Sequence, residues 1–585
     1  MRKLAAFILF AALRMPAQQQ YVPGPDSQPH DGVPKGTVTR GLILAPGKYY
    51  PGTPHNYATY VPAQYDPAKP CAFMIVMDGG TGGNTPVVLD NLIAKGDVPP
   101  TIGIFVNPGV LPALSETAQS RRERIFEYDN ISDRFSKFLL EELIPEVGKK
   151  YNLSKNPDDR LLVGTSTGAV GAFVAAWHRP DQFHRVLSWI GTYVSMKGAD
   201  TFPAMIRRTE PKPIRIFLQD GKNDHISADQ PFGVFYGGSW PINNELMYQA
   251  FQFAGYDARL EIGDGGHDGR QAAAMMPEAL RWLWREYPKP IVVREPPAIG
   301  KPGWEPRGQV YAIVSADKPW EKVGAAHQNL TGPSVDKNGN AFYADRSKIY
   351  KADASGKETV FRDNAPGLSA VRVGADGRVY AADLAKKRIV SYGAQGDEKV
   401  VTSGVSATDL VLTAKNEIYF VDTAAKSVGY VDAGGKKRMM PVEIAKPSAL
   451  SLTIDQAMLV VGDGDTRYSW SYQLAKDGSI QNGEPFYRLD LPEAAPASDV
   501  AGVTMDAIGQ VYFADASGIQ VCEQNGRCGA LLAKPELGTL GGIAMTSAND
   551  GNYLYASEGG QMFRRAVKRG GVDVATPVKP PNPPL

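Results

Sequence analysis

Two unlike architectures are predicted in one chain: an α/β domain on a mainly parallel sheet, then an all-β six-bladed propeller. Three observations carry the prediction. Short apolar runs alternate with helical patterns up to about Pro290, a Pro-rich stretch from Tyr287 to Gly303 interrupts them, and beyond it a turn-plus-strand motif recurs. At 585 residues the chain is also too long for one hydrophobic core.

The elements follow in order. Arg2 and Lys3 precede an apolar run from Leu4 to Leu13, and Ala17 offers a small residue for cleavage. Residues 1–17 therefore read as a secretory signal peptide, with a run too short to span a bilayer. From 30 to 290, the stretches Ala72–Met77, Thr101–Val106, Arg160–Gly164, Arg185–Ile190, Ile214–Leu218 and Ala258–Ile262 are apolar and rich in strand formers. Helix-like patterns lie between and after them at 130–149, 168–178, 243–254 and 271–286. Strand, helix, strand in this rhythm predicts a parallel sheet with helices on its faces. Residues 291–303 are expected to be a stiff linker. From 304 to 570 the sequence repeats: 336–345, 374–383 and 413–422 each combine a polar turn with an alternating apolar strand that ends on Asp. Three further copies end near Asp463, Asp515 and Ser557, a period of roughly 40–50 residues that fits six blades. The tail from 571 to 585, with Pro at 577, 580, 581, 583 and 584, is expected to be disordered.

Composition narrows the function. Sixty-three basic and 62 acidic residues leave a net charge of +1, so no global field attracts nucleic acid or an anionic membrane. Three cysteines do not make a disulfide framework, but Cys522 and Cys528 flank a Gln524-Asn525-Gly526 turn and are placed to bridge a hairpin in an oxidising compartment.

The chemistry is concentrated in the first half. Gly164-Thr165-Ser166-Thr167-Gly168 joins the apolar strand RLLVG to the small-residue helix GAVGAFVAAW. A sharp strand-to-helix turn exposes the serine, and flanking glycines are needed where side chains would clash. Such a serine needs a base and an orienting acid, following it in the order Ser, Asp/Glu, His. Of seven histidines, His30 and His55 precede the serine, His178 and His184 belong with the helix after it, and His327 lies past the linker. Between His225 and His267, we favour His267, in the flexible loop Gly263-Asp264-Gly265-Gly266-His267 that follows a strand. The strand ending at Leu218 delivers both Asp220 and Asp224, and Asp224 is favoured because Asp220 is better placed to cap the turn. The N–H of Thr167 and that of Gly80, in the loop Asp78-Gly79-Gly80, are the candidate oxyanion donors.

Residues from about Tyr49 to Pro288 resemble the esterase family that includes enterochelin esterase, esterase D and the feruloyl and acetyl xylan esterases. The resemblance runs through DGG, VLDNLIAKGDVPPTIGIFVNPG, EYDNISDRFSKFLLEELIPEV, GTSTG, FLQDGKND and GDGGHDG followed by ALRWLW. It implies an α/β-hydrolase fold and a metal-independent serine carboxylesterase with Ser166, Asp224 and His267 at the triad positions. Two departures bear on substrate: GTSTG stands where relatives often read G-S-S-G-G, and Gly-Gly-Ser-Trp240 where Gly-Asn-Trp is expected.

The second half is similar to the gluconolactonase and senescence-marker propellers, which hold a divalent metal through Glu, Asn and Asp. Here those motifs read Thr331-Gly332-Pro333, Pro447-Ser448-Ala449 and Ala501-Gly502. Neutral Thr, Ser and Ala cannot replace carboxylates around Ca²⁺ or Zn²⁺.

The sequence therefore predicts a secreted or periplasmic serine ester hydrolase without cofactor or metal. Its expected substrates are feruloyl or acetyl esters of plant polysaccharide, with no nucleic-acid or integral membrane partner. The propeller is expected to be a carbohydrate-binding or structural accessory. The alternatives are a siderophore or small aryl ester hydrolase, a carbohydrate-binding protein with a degenerate esterase domain, and a propeller lactonase with a metal site rebuilt from Asp499, Asp463 or Asp409. Trp240 and Tyr128 are candidate exposed aromatics to pack against an aromatic acyl group, the alternative being plain core residues.

Overall fold

The computed structural model describes residues 21–80, 82–225, 237–295, 309–493, 495–547 and 551–582. The expected signal peptide and positions 296–303 of the expected linker lie outside them. The chain divides into two compact units. One holds residues up to Pro203, Lys212–Gln252 and Tyr256–Val292; the other holds Ala204–Pro211, Phe253–Gly255 and everything from Val293. The two short insertions in the second unit were not foreseen, because they lie far from it in sequence.

The first unit is built on eight strands: β1 (Thr37–Leu44), β2 (His55–Val61), β3 (Ala72–Met77), β4 (Thr101–Val106), β5 (Arg160–Thr165), β6 (Arg185–Trp189), β7 (Arg215–Gly221) and β8 (Asp257–Gly263). Their order across the sheet is β1-β2-β4-β3-β5-β6-β7-β8. The two pairings at the β1 edge are antiparallel, and all from β4 to β8 are parallel. This is an α/β-hydrolase sheet. Every residue of β4, β6 and β7 is buried, which is why the apolar stretches within them, such as Ile216–Leu218, run unbroken rather than alternating. The edge strand β1 carries Thr, Arg and Gly and is half exposed, so its sequence gives a weak strand signal.

In chain order before the expected linker, the α-helices are α1 (Thr85–Lys95), α2 (Arg124–Tyr128), α3 (Arg134–Phe138), α4 (Ile144–Gly148), α5 (Thr167–His178), α6 (Phe202–Arg208, most of it assigned to the second unit), α7 (Trp240–Ala254) and α8 (Arg270–Trp284). The helix expected over 130–149 is two α-helical segments joined by a π turn at Leu139–Leu143. Pro145 has no N–H to give the carbonyl four residues earlier, and the widened turn absorbs that break. All of α5 except His178 is buried, and its Gly and Ala residues let it lie close to the sheet.

The second unit contains six four-stranded antiparallel sheets. The repeats seen in sequence are the second strands of successive blades, Ala341–Ala344, Val379–Asp383 and Ile418–Asp422, each with the turn that precedes it. The recurrent Asp caps the turn to the third strand. Asp345 Oδ1 accepts the N–H groups of Ser347 and Lys348, and Asp515 Oδ1 those of Ser517 and Gly518. The ring closes when Glu321–Val323 joins the last blade as the outer neighbour of Gln561–Ala566.

The tail corrects an expectation. Through residue 582 it lies along the propeller, with one turn closed by Thr576 N–H donating to Asp573 O: Val578 N–H donates to Ile454 O, Gln456 Nε2 to Val574 O and Gln524 Nε2 to Pro581 O. Its prolines suit a strap that needs few backbone donors of its own. Cys522 and Cys528 face each other across the hairpin and are disulfide-bonded, while Cys71 is buried and free.

Candidate active site

Ser166 lies at the end of β5 and caps α5, with φ 57° and ψ −124°. That left-handed backbone is rare for a residue with a side chain and is held by its surroundings. A Cβ on Gly164 would come within 2.0 Å of Gly168 O, so only glycine lets the helix start this close to the strand.

The loops after β7 and β8 bring the other two groups. They are knitted together: Lys222 N–H donates to Gly263 O, Asn223 N–H to Gly265 O, and Asn223 Nδ2 to Asp264 O. Asp224 and His267 thereby meet. His267 Nδ1 lies 2.8 and 2.9 Å from the two Asp224 carboxylate oxygens, and its Nε2 is 2.9 Å from Ser166 Oγ. The carboxylate only accepts, so Nδ1 carries the proton and Nε2 is free to accept the serine hydroxyl. The Asp224 side chain is wholly buried, while His267 keeps 22% exposure on the side a substrate would reach.

Trp240, expected from sequence only as an aromatic for the acyl group, and Thr192, which sequence reasoning did not single out, extend this line. Trp240 Nε1–H donates to Thr192 Oγ1 at 3.2 Å, and Thr192 Oγ1 lies 3.1 Å from Ser166 Oγ. With the serine proton directed at His267, the Thr192 hydroxyl donates to Ser166. Thr192 follows β6 in Gly191-Thr192-Tyr193, a stretch with no motif to mark it. His225 stacks on the His267 ring at 4.8 Å, and the Trp240 ring stands edge-on to it at 5.5 Å.

Thr167 opens α5, where the first N–H groups have no acceptor within the helix. The Gly80 N–H donates to Asn107 Oδ1 at 2.9 Å. Asn107 is placed to take it just past β4, the parallel neighbour of β3. The loop is anchored by Arg124, whose Nε and Nη2 grip the Asp78 carboxylate at 2.7–3.0 Å and whose Nη2 lies 3.4 Å from Thr165 O. Trp240 and Tyr128 are not exposed: they keep 2% and 0% of their surface, and Tyr128 packs edge-on against Phe135 as part of the core.

In the propeller, the three positions that hold metal in the resembled family do not suit one. Thr331 Oγ1 accepts the Ala344 N–H, Ser448 Oγ donates to Val500 O at 2.6 Å, and Ala501 has no side-chain oxygen. The carboxylates considered as replacements are committed separately. Asp409 pairs with Arg372, Asp463 accepts Lys446 N–H and Thr466 Oγ1, and Asp499 lies beside Lys446. Among the described residues, the one cluster with three converging metal-binding side chains is Asp224, His225 and His267, whose donor atoms lie within 4.8 Å of one another. An ion there would compete with the hydrogen bonds just described.

A serine on a sharp turn at the carboxyl end of a parallel strand, with Asp224 and His267 on loops that follow later strands, is an arrangement found in the α/β-hydrolase fold. Comparison with known proteins agrees: residues 50–262 match the family model described as "Putative esterase", which supports a hydrolase acting on esters. The chain is similar to an iron(III) enterobactin esterase of Dickeya dadantii, with 25% identity over 36% of this chain and 47% of that protein. It is also similar to an endo-1,4-beta-xylanase/feruloyl esterase of Xylanibacter ruminicola, with 25% identity over 31% of this chain and 21% of that one. It thus spans less than half the length of either relative. Among solved structures, a gluconolactonase from Xanthomonas campestris aligns with 46% of this chain and 96% of its own, at 17% identity and a TM-score of 0.39. Among the described residues, no helix is long and apolar enough to cross a membrane.

Proposed function

We propose that the chain is an exported serine carboxylic ester hydrolase. One observation carries this reading: an unbroken line of hydrogen bonds from Trp240 through Thr192, Ser166 and His267 to Asp224. Ser166 Oγ attacks the ester carbonyl as His267 Nε2 takes its proton, and Asp224 holds the imidazolium that forms. The tetrahedral oxyanion is met by the Thr167 N–H at the positive end of α5, and by Gly80 once substrate displaces Asn107. Collapse expels the alcohol, protonated by His267, and leaves an acyl-serine. Water activated by His267 then releases the acid.

The proposed substrates are acyl esters of plant polysaccharide, feruloyl or acetyl, which the name of the xylanase/feruloyl esterase relative favours. The enterobactin esterase relative supports a second reading, a siderophore or other aryl ester. Both readings include aromatic acyl groups, for which the half-buried His225, stacked on His267, supplies a ring beside the serine. The propeller is proposed as a non-catalytic accessory that binds carbohydrate or stabilises the enzyme. Export rests on the charged and apolar start of the chain and agrees with the Cys522–Cys528 disulfide.

The test is to assay wild type and Ser166→Ala, with and without a chelator, on p-nitrophenyl acetate, methyl ferulate and a gluconolactone. Ester hydrolysis should fall by about 10⁴-fold or more in the variant and ignore the chelator. Chelator-sensitive lactone hydrolysis that survives Ser166→Ala would place the enzyme in the propeller and end this reading.

A further inference from the structure

Behind Asp224 lies a second carboxyl that the mechanism above does not use. Asp220, at the end of β7, is wholly buried. Its Oδ1 accepts the Gly221 N–H at 2.7 Å and its Oδ2 accepts Asn244 Nδ2 at 2.9 Å. Asp224 N–H donates to Gly221 O at 3.0 Å, and this tight turn sets the Asp224 carboxyl beside that of Asp220. Asp224 in turn accepts N–H bonds from His267 Nδ1 and from the His225 backbone. Two carboxylates this close and this dry cannot both be ionised, and the one facing an imidazole N–H and a backbone N–H is the one to carry the charge.

Asn244 shows that the arrangement is built into the fold. It stands four residues after Trp240, so both come from the first turns of α7. Trp240 reaches the serine end of the line through Thr192, while Asn244 reaches the acid end through Asp220 and also donates to Gly191 O, next to Thr192. One helix thus braces both ends of the triad.

We infer that Asp220 is a positioning residue, a neutral carboxylic acid that donates its proton to Asp224 and holds the triad carboxylate in place for His267. This rests on the reading of Ser166, His267 and Asp224 as a catalytic triad. Burial, followed by the contact with Asp224, pushes the Asp220 carboxyl up to about 9. It is therefore neutral where an esterase works. The groups facing it are Asp224 across the turn and the uncharged Asn244 from α7, and the imidazoles of His267 and His225 lie beyond Asp224.

Two substitutions separate a donor from mere filling. Asp220→Asn keeps a donor toward Asp224 at every pH, whereas Asp220→Leu keeps the volume and loses the donor. With p-nitrophenyl acetate and the uncatalysed rate subtracted, kcat and KM would be measured from pH 5 to 10 for both, beside wild type and Ser166→Ala. The Asn variant should hold kcat at pH 7.5 within about threefold of wild type, and the Leu variant should lose about 10- to 100-fold in kcat with KM unchanged. Wild type should also decline above about pH 9, as Asp220 loses its proton, and the Asn variant should not.

A Leu variant as active as wild type, or an Asn variant as damaged as the Leu variant, would overturn the inference. If Asp220→Leu does not fold, the Asn variant decides alone: loss of its activity at pH 7.5, or an alkaline decline identical to wild type, overturns it. Activity that persists in Ser166→Ala is a failure of the triad reading instead, and is distinguished by that control.

Discussion

At the scale of single residues, the site is a proton inventory in which each hydrogen has one destination. Thr192 is its least obvious member. Its hydroxyl accepts from Trp240 and donates to Ser166; in the proposed mechanism this orients the serine lone pairs and stabilises negative charge on Oγ as the acyl-enzyme breaks down. Thr192→Val keeps the shape and removes the donor, so kcat for p-nitrophenyl acetate should fall about tenfold with little change in KM. Asp224→Asn is harsher, because the amide no longer holds the Nδ1–H tautomer of His267, and a loss of about 10⁴-fold in kcat is expected. Asp129 affects stability instead. It is fully buried with neither carboxylate oxygen partnered, and burial pushes it up to about 7. Between about pH 4 and 7 the folded protein holds a proton that the unfolded chain has released, so stability falls as pH rises through that window and levels off above it. In Asp129→Asn the drop in Tm between pH 5 and pH 8 should shrink, as followed by thermal melts at both.

At the scale of elements, catalysis depends on how closely strands and helices approach. The start of α5 tolerates no side chain at position 164: Gly164→Ala drives a methyl into Gly168 O and should destabilise the domain by about 3 kcal/mol or more, seen as a lower Tm and lost activity. Arg124 works at a joint, tying α2 to the loop after β3 through Asp78 and to the end of β5 through Thr165 O. The parallel strands were legible in sequence because strands buried on both faces are uninterrupted apolar runs; Ala72–Met77 and Thr101–Val106 match to the residue. The edge strand β1 and its neighbour β2 were not: β1 is half exposed, and β2, though mostly buried, mixes His, Asn and Thr with its apolar residues. Ser166, Asp224 and His267 were legible because each sits in a Gly- or Asp-rich turn after a strand. Thr192, Asn107 and Arg124 were not, because their roles come from contacts across the sheet that no local spacing encodes.

At the scale of the whole molecule, each unit has its own core. In the first, Phe105, Leu187, Phe217 and Leu280 pack between sheet and helices; in the second, a chain of clusters runs from blade to blade. The propeller's ring is closed by a three-residue strand, Glu321–Val323, laid on Gln561–Ala566. Val323 is 1% exposed and packs with Leu330, Tyr343, Tyr555 and Met562, so the closure is apolar as well as hydrogen-bonded. Val323→Asp places an unpaired carboxylate there, at a cost of several kcal/mol. Two cores predict two unfolding transitions in calorimetry. Val323→Asp should lower one of them by about 10 °C and leave the other in place, while Gly164→Ala should do the reverse. If the propeller takes no part in the chemistry, Val323→Asp should also hydrolyse p-nitrophenyl acetate at 25 °C at the wild-type rate. Loss of hydrolysis in a variant whose first unit still melts at the wild-type temperature would show that the ring contributes to the reaction, and the accessory reading would have to be abandoned.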